Sequence, residues 1–144
     1  MRSELFQVLG LDHIGIVPSE DNGLFRLLSQ LLKFSLTDKE NILDQKTVVQ
    51  KFFVEDSPKG VALEILEPLN EEGVIQRYKD KKKSGIHHIA IRVKGLSELI
   101  DFLLSHEVEM IDRKPRIGHN GCRVAFIHPR STSGVLFELV ERDL

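Results

Sequence analysis

The sequence predicts an α+β fold of two tandem β-α-β-β-β units, which form a curved mixed sheet around a cleft. Two strands with alternating apolar residues, at residues 10–17 and 84–93, each open a run of the same form. An amphipathic helical stripe follows each of them, and each run closes on an apolar strand that contains a glutamate, at residues 60–67 and 134–141. Two sheets that each cover one face with a helix can bury their other faces around a shared cleft.

The length of 144 residues suits a single domain spanning residues 1–144, with unit one at about 9–69 and unit two at about 84–142. A net charge of −2 gives no reason to expect nucleic-acid or membrane-surface binding. The single cysteine, Cys122, excludes an internal disulfide and suits a reducing compartment. We see no signal peptide and no apolar run near the roughly 20 residues that a membrane span needs. The sequence therefore predicts a cytoplasmic protein.

The first unit begins with the strand that contains His13, which Pro18 ends by removing a backbone donor. Apolar residues at helical spacing then predict an amphipathic helix over residues 24–32. A β-branched and aromatic strand at residues 47–54 contains Gln50. The proline and glycine in residues 55–60 indicate a turn that joins this strand to the strand of Glu64 as a hairpin.

The second unit follows the same plan from the strand of His88. An apolar stripe at residues 96–104 predicts a helix, and residues 107–111 predict a short strand. A loop with glycines at Gly118 and Gly121 then leads to two strands, of which the last contains Glu138. The two glycines permit close approach of the backbone to a ligand, although an ordinary turn explains them equally well at this point.

Two histidines and two glutamates recur in register between the units, because 51 positions separate His13 from Glu64 and 50 separate His88 from Glu138. A single histidine on an apolar strand is more often a packed residue than a ligand. A carboxylate among apolar residues, however, is costly to bury unless it is paired or bound to a metal. Alternation turns all four side chains away from their aliphatic neighbours and into the cleft. We therefore interpret them as ligands of one divalent ion, Co, Ni, Mn, Zn or Fe.

At this point the chain resembles the vicinal oxygen chelate (glyoxalase/bleomycin resistance) superfamily, and within it the methylmalonyl-CoA epimerases. The motifs that carry the resemblance are LDHI at 11–14, LEILEPL at 63–69, GIHHIA at 85–90, RIGHNG at 116–121, FIHP at 126–129 and GVLFEL at 134–139. The resemblance implies the metal ligands His13, Glu64, His88 and Glu138, with His88 rather than His87 as the ligand of its pair. It also implies a substrate-contacting loop at Gly118 and Gly121, an acyl-CoA substrate, and one metal site per chain within a homodimer.

The resemblance further implies a metal-dependent epimerase that moves the α-proton of a 2-carboxyacyl-CoA thioester such as methylmalonyl-CoA, through a chelated enolate. The epimerases place a glutamate base where this sequence has Gln50, and an amide cannot accept a proton. Gln50 is therefore expected to hydrogen-bond substrate or water, and Glu138 or Glu64 to act as the base, as in the glyoxalases. Two alternatives stay open: a glyoxalase I-type lyase acting on a thiol–aldehyde adduct, and a non-enzymatic small-molecule binding protein of the same fold. His119 and His128 have no assigned role.

Overall fold

The computed structural model describes residues 5–54 and 60–142. In the first half of the chain, the described residues form five strands and two helices. In chain order they are β1 (Gln7–Val17), α1 (Gly23–Phe25, continued by a π-helical segment at Arg26–Leu31), β2 (Ser35–Leu36), β3 (Glu40–Ile42), β4 (Thr47–Phe53), β5 (Ala62–Pro68) and α2 (Val74–Lys82).

The second half of the described chain contains four strands and one helix. They are β6 (Gly85–Lys94), α3 (Leu96–Ser105), β7 (Arg116–Ile117), β8 (Arg123–Ile127) and β9 (Phe137–Glu141). Single 3₁₀ turns lie at Leu43–Gln45, His119–Gly121 and Pro129–Ser131.

The chain divides into two compact units. One comprises His13–His87, and the other comprises Met1–Asp12 together with His88–Leu144. The boundaries fall inside β1 and β6, whereas the sequence repeat suggested a boundary between residues 69 and 84. The difference arises because a repeat is defined by similarity along the chain, and a compact unit by which strands and helices pack together.

In the unit His13–His87, β5 pairs in parallel with β1 and antiparallel with β4, while β2 and β3 both pair antiparallel with β4. The sheet has a helix on each face. On one face the buried residues Val17, Val49 and Leu66 pack with Ile75 of α2. On the other face, Phe52 and Ile65 pack with Leu28 of the π-helical segment. These two clusters fix which face each strand residue occupies, because successive side chains alternate.

In the other unit, β9 pairs in parallel with β6 and antiparallel with β8, and β7 pairs antiparallel with β8. Its main core lies between the helix and the sheet. Three buried residues of α3, which are Leu96, Leu99 and Ile100, pack in one cluster with Phe6, Val93, Met110, Ala125, Ile127 and Leu139. The apolar stripe predicted at residues 96–104 is therefore the buried face of α3.

The α+β prediction is confirmed, since both units combine a parallel and an antiparallel strand pair with helices. The helix predicted over residues 24–32 differs in type, because the amide of Leu32 donates to the carbonyl of Leu27 at 2.8 Å, a spacing of five residues. Apolar periodicity does not distinguish this π-helical turn from an α-helix, because Leu24 and Leu28 face the core in both.

Two smaller predictions have different outcomes. The strand predicted at residues 107–111 is reduced to a single bridge between Met110 and Ile127. The turn predicted at residues 55–60 lies outside the described residues except for its last position, although the antiparallel pairing of β4 with β5 is that of a hairpin. Across residues 5–54 and 60–142, the helices are too short and too polar to traverse a lipid bilayer.

Candidate metal centre

The first histidine–glutamate pair lies within the unit His13–His87. The β1–β5 register places Gly15 beside Glu64, so that His13, two residues before Gly15, lies on the same face as the glutamate. The Nδ1 atom of His13 is 3.4 Å from the Oε2 atom of Glu64. Both residues are almost completely buried, at 4% and 3% exposure.

The second pair repeats this arrangement in the other unit. The β6–β9 register places Ala90 beside Glu138, and His88 again lies two residues earlier on the same face. The Nε2 atom of His88 is 3.3 Å from the Oε1 atom of Glu138, and both residues are buried. Phe126 lies directly opposite Glu138 on β8, and its ring meets that of His88 edge-on at 5.7 Å. The repeat in the sequence therefore corresponds to the same strand register in both units.

Both pairs fit the coordination of a divalent cation. Imidazole nitrogens and carboxylate oxygens bind borderline divalent ions at about 2.0–2.2 Å. Two such donors on one ion at a tetrahedral angle lie about 3.4 Å apart, by the geometry of those bond lengths. The nitrogen–oxygen separations of 3.4 Å and 3.3 Å agree with this value. In each unit, therefore, the donor types, their spacing and their burial suit a metal ion.

A buried carboxylate next to His13 has a different role. Asp12 is 2% exposed, and its carboxylate accepts hydrogen bonds from Arg92 at 2.8 Å and from Arg142 at 2.8 and 2.7 Å. These contacts lie within a single unit and anchor β1 to β6 and to the residue that follows β9. Sequence analysis missed the cluster because 80 and 130 positions separate its members.

The hairpin register places Gln50 on a different face from the first histidine–glutamate pair. The β4–β5 register pairs Gln50 with Ile65 and pairs Lys51 with Glu64. Gln50 therefore lies on the sheet face that packs against the π-helical segment, opposite the face of His13 and Glu64. Its amide nitrogen donates to the carbonyl of Thr37 at 2.9 Å. Contact of Gln50 with substrate or water, which the family resemblance implies, stays a prediction.

The loop glycines have structural reasons of their own. A Cβ atom on Gly118 would lie 2.9 Å from a methyl group of Val124, and Gly121 has a φ of +70°, which favours glycine. The amide of Gly118 donates to the carbonyl of Cys122 at 2.8 Å. Contact of Gly118 and Gly121 with a substrate stays a prediction.

The remaining histidines occupy distinct surroundings. His119 is buried within the same loop. The Nδ1 atom of His128 accepts from the amide of Arg130 at 3.0 Å and so caps the following 3₁₀ turn. The ring of His87 meets Tyr78 edge-on at 5.2 Å, whereas His88 pairs with Glu138. The assignment of His88, rather than His87, as a ligand stays a prediction.

The fold of two β-α-β-β-β repeats, each with a buried histidine–glutamate pair, defines a class of protein built around duplicated half-sites. Residues 7–126 match the family model described as the glyoxalase/bleomycin resistance protein/dioxygenase superfamily. The chain belongs to this superfamily.

The chain is similar in sequence to an uncharacterized bacterial protein and to methylmalonyl-CoA epimerases. The chain is 40% identical over 131 residues to the uncharacterized protein YqjC of Bacillus subtilis, which covers 91% of each chain. It is also 40% identical over 85 residues to the mitochondrial methylmalonyl-CoA epimerase of Dictyostelium discoideum, and this match covers 58% of the chain and 51% of that protein. The chain thus aligns with about half the length of that epimerase.

Solved structures of epimerases share the fold along the whole chain. The methylmalonyl-CoA epimerase of Mycobacterium tuberculosis superposes with a TM-score of 0.87 at 30% identity, covering 100% of this chain and 93% of that one. A variant of the Streptomyces coelicolor enzyme in complex with 2-nitronate-propionyl-CoA superposes with a TM-score of 0.86 at 26% identity, covering 96% and 100%. Among the relatives and neighbours of this chain are therefore isomerases, and one of them is bound to an acyl-CoA ligand.

Proposed function

We propose that the protein is a metal-dependent epimerase that moves the α-proton of a 2-carboxyacyl-CoA thioester such as methylmalonyl-CoA. The observation that carries the proposal is the buried histidine–glutamate pair, present in the same register in both units. The epimerases among its relatives and structural neighbours supply the substrate class.

In this proposal His13, Glu64, His88 and Glu138 hold one divalent ion, which is Co, Ni, Mn, Zn or Fe by donor chemistry. The ion supplies Lewis-acid stabilisation of the negative charge that develops on the thioester oxygen. The two histidines contribute neutral donors, and the two carboxylates balance the 2+ charge. On an ion that accepts more than four ligands, these four donors would leave coordination positions for substrate oxygens.

Epimerisation also requires a side chain that removes the α-proton, and Gln50 does not meet this requirement. Gln50 is excluded as the base by its chemistry, and its side chain lies on the opposite face of the sheet from Glu64. Glu138 is the base in our proposal, with Glu64 as the second carboxylate of the set. The α C–H bond breaks, its proton goes to the carboxylate oxygen, and its electron pair delocalises onto the thioester oxygen. A protonated Glu64 would return a proton to the opposite face, and exchange of both carboxyl groups with solvent would restore their starting protonation and complete the cycle.

The test is exchange of the α-proton of methylmalonyl-CoA in deuterium oxide, followed by NMR in the presence of Co²⁺ and again with a chelator. We expect exchange that requires the metal and that falls by at least about 10²-fold in Glu138→Gln, the range for loss of a general base. Glu109→Gln is the matched control, because Glu109 is an exposed glutamate that pairs with Arg130.

The same experiment separates this proposal from its alternative. The histidine–glutamate order is shared with glyoxalase I-type lyases, and a base drawn from the ligand carboxylates suits their chemistry as well. Absence of metal-dependent exchange, together with turnover of a hemithioacetal, would replace the epimerase by a lyase. The homodimer implied by the family resemblance stays a prediction, which sedimentation of the purified protein tests.

A further inference from the structure

Lys51 lies on the same sheet face as the first histidine–glutamate pair. The β4–β5 register places Lys51 directly opposite Glu64, and directly opposed residues in antiparallel strands share a face with Cβ atoms about 4.5–5.5 Å apart. The packing of Val49 with Val17 and Leu66 supports this assignment, since Val49 precedes Lys51 by two residues. The face beside Glu64 therefore includes an ammonium group.

The equivalent position in the other unit is not charged. Phe126 lies opposite Glu138 as Lys51 lies opposite Glu64, and its buried ring packs on His88. A histidine–glutamate pair thus does not need a cation opposite its glutamate. The lysine is thus one position at which the first half-site differs from the second.

The backbone of Lys51 is fixed, and its charge is available to a ligand. Two hydrogen bonds to Thr37 hold its main chain in place. The amide of Lys51 donates to the hydroxyl of Thr37 at 3.0 Å, and the carbonyl of Lys51 accepts from the amide of Thr37 at 3.0 Å. The side chain is half-buried, and among residues 5–54 and 60–142 its ammonium group makes no ion pair. Glu64 lies beside His13 instead.

We propose that Lys51 binds the free carboxylate of the substrate and so selects 2-carboxyacyl-CoA thioesters over plain acyl-CoA thioesters. This inference rests on the proposed function, and it names the side chain that would bind the carboxylate of the substrate. A lysine ammonium group is a compact point charge on a flexible stem, which suits contact with a carboxylate that also approaches a metal ion.

The test compares malonyl-CoA with acetyl-CoA, which differ only in the free carboxylate. Their dissociation constants are measured by calorimetry on the full-length, Co²⁺-loaded protein and on Lys51→Met, Lys51→Arg and Lys94→Met. Lys94 is the matched control, because it is an exposed strand lysine at the end of β6. We expect Lys51→Met to lower the preference for malonyl-CoA by about tenfold, Lys51→Arg to keep most of it, and Lys94→Met to leave it unchanged.

Two results would overturn the assignment of Lys51. One is an unchanged malonyl-to-acetyl ratio in Lys51→Met, and the other is an equal loss of affinity for both thioesters. A Co²⁺ titration and a melting curve for each variant show whether the substitution acts through the ion or the fold, and a loss of Co²⁺ affinity that accounts for the changed ratio would also overturn it.

Measurements on the wild-type protein show whether the assignment of Lys51 or the proposed function is wrong. If the wild type binds neither thioester and exchanges no α-proton, both proposals fall. If the wild type exchanges the α-proton of methylmalonyl-CoA while Lys51→Met keeps its preference, only the assignment of Lys51 falls.

Discussion

At the scale of single residues, the Asp12 cluster illustrates how a buried charge is stabilised in this protein. The carboxylate receives three hydrogen bonds from two guanidinium groups, each on a side chain that is 17% exposed. Removing the negative charge would take this carboxylate away from two largely buried guanidinium groups. Such a loss costs far more than the loss of a surface ion pair.

We therefore expect Asp12→Asn to lower the free energy of unfolding by about 3 kcal/mol, as found when one partner of a buried ion pair is removed. Urea unfolding at neutral pH measures the change, with Asp101→Asn as the control for an exposed aspartate of α3. A change below about 1 kcal/mol would mean that solvent compensates the two arginines, as it does at surface pairs.

Sequence analysis identified the histidine–glutamate pairs, because alternation and a repeated spacing are both visible along the chain. Each pair shares a sheet face, as alternation predicted. Alternation alone did not show on which face Gln50 and Lys51 lie relative to Glu64. Their faces depend on the register of the β4–β5 hairpin, and the sequence does not reveal which residue of one strand lies opposite Glu64.

At the scale of elements, the first turn of α3 depends on a side chain from β9. The Oε2 atom of Glu141 accepts from the amides of Gly95 at 2.5 Å and Leu96 at 3.4 Å, and its other oxygen binds Arg123. Burial alone would raise the pKa of Glu141, but the hydrogen bonds from Arg123, Gly95 and Leu96 outweigh it and lower the pKa below the ordinary glutamate value. A remote carboxylate therefore caps a helix that begins without a capping side chain of its own.

Glu141→Gln should destabilise the fold by about 1 kcal/mol at pH 7, the usual cost of losing a helix cap. Because the folded-state pKa is lowered, the carboxylate stabilises the protein above the ordinary glutamate pKa, and this contribution is lost as the pH falls through the folded-state pKa. The difference between variant and wild type in urea unfolding should therefore shrink as the pH falls below about 4. Glu98→Gln is the control, and a difference that is independent of pH would contradict this role of the charge.

The type of the first helix could not be read from the sequence. An apolar stripe at residues 24–32 correctly indicated a helical segment against the sheet, and Leu28 is buried there. The π-helical turn arises from backbone hydrogen bonds with a spacing of five residues. Side-chain periodicity over less than two full turns does not determine that spacing.

At the scale of the whole molecule, the proposal that both pairs share one ion predicts a stoichiometry. We expect one Co²⁺ per chain in a calorimetric titration, and a rise in melting temperature when the ion binds the folded state. His13→Ala and His88→Ala should each remove most of that rise, and the double variant should lose little more, because residues acting on one ion are not additive.

Independent half-sites would give a different result. Two ions would bind per chain, and each single variant would abolish about half of the thermal shift. Glu67→Gln, at a half-buried glutamate that pairs with Lys39, is the control for a carboxylate outside the site.

The residues opposite Glu64 and Glu138 have an evolutionary consequence. When a gene segment is duplicated, both copies first have the same residues in the same structural roles. Here the second repeat has the ring of Phe126 opposite Glu138, and the first repeat has Lys51 at the matching place. The histidine–glutamate pair keeps the same spacing with either residue opposite its glutamate, so this position can be exchanged without loss of the pair.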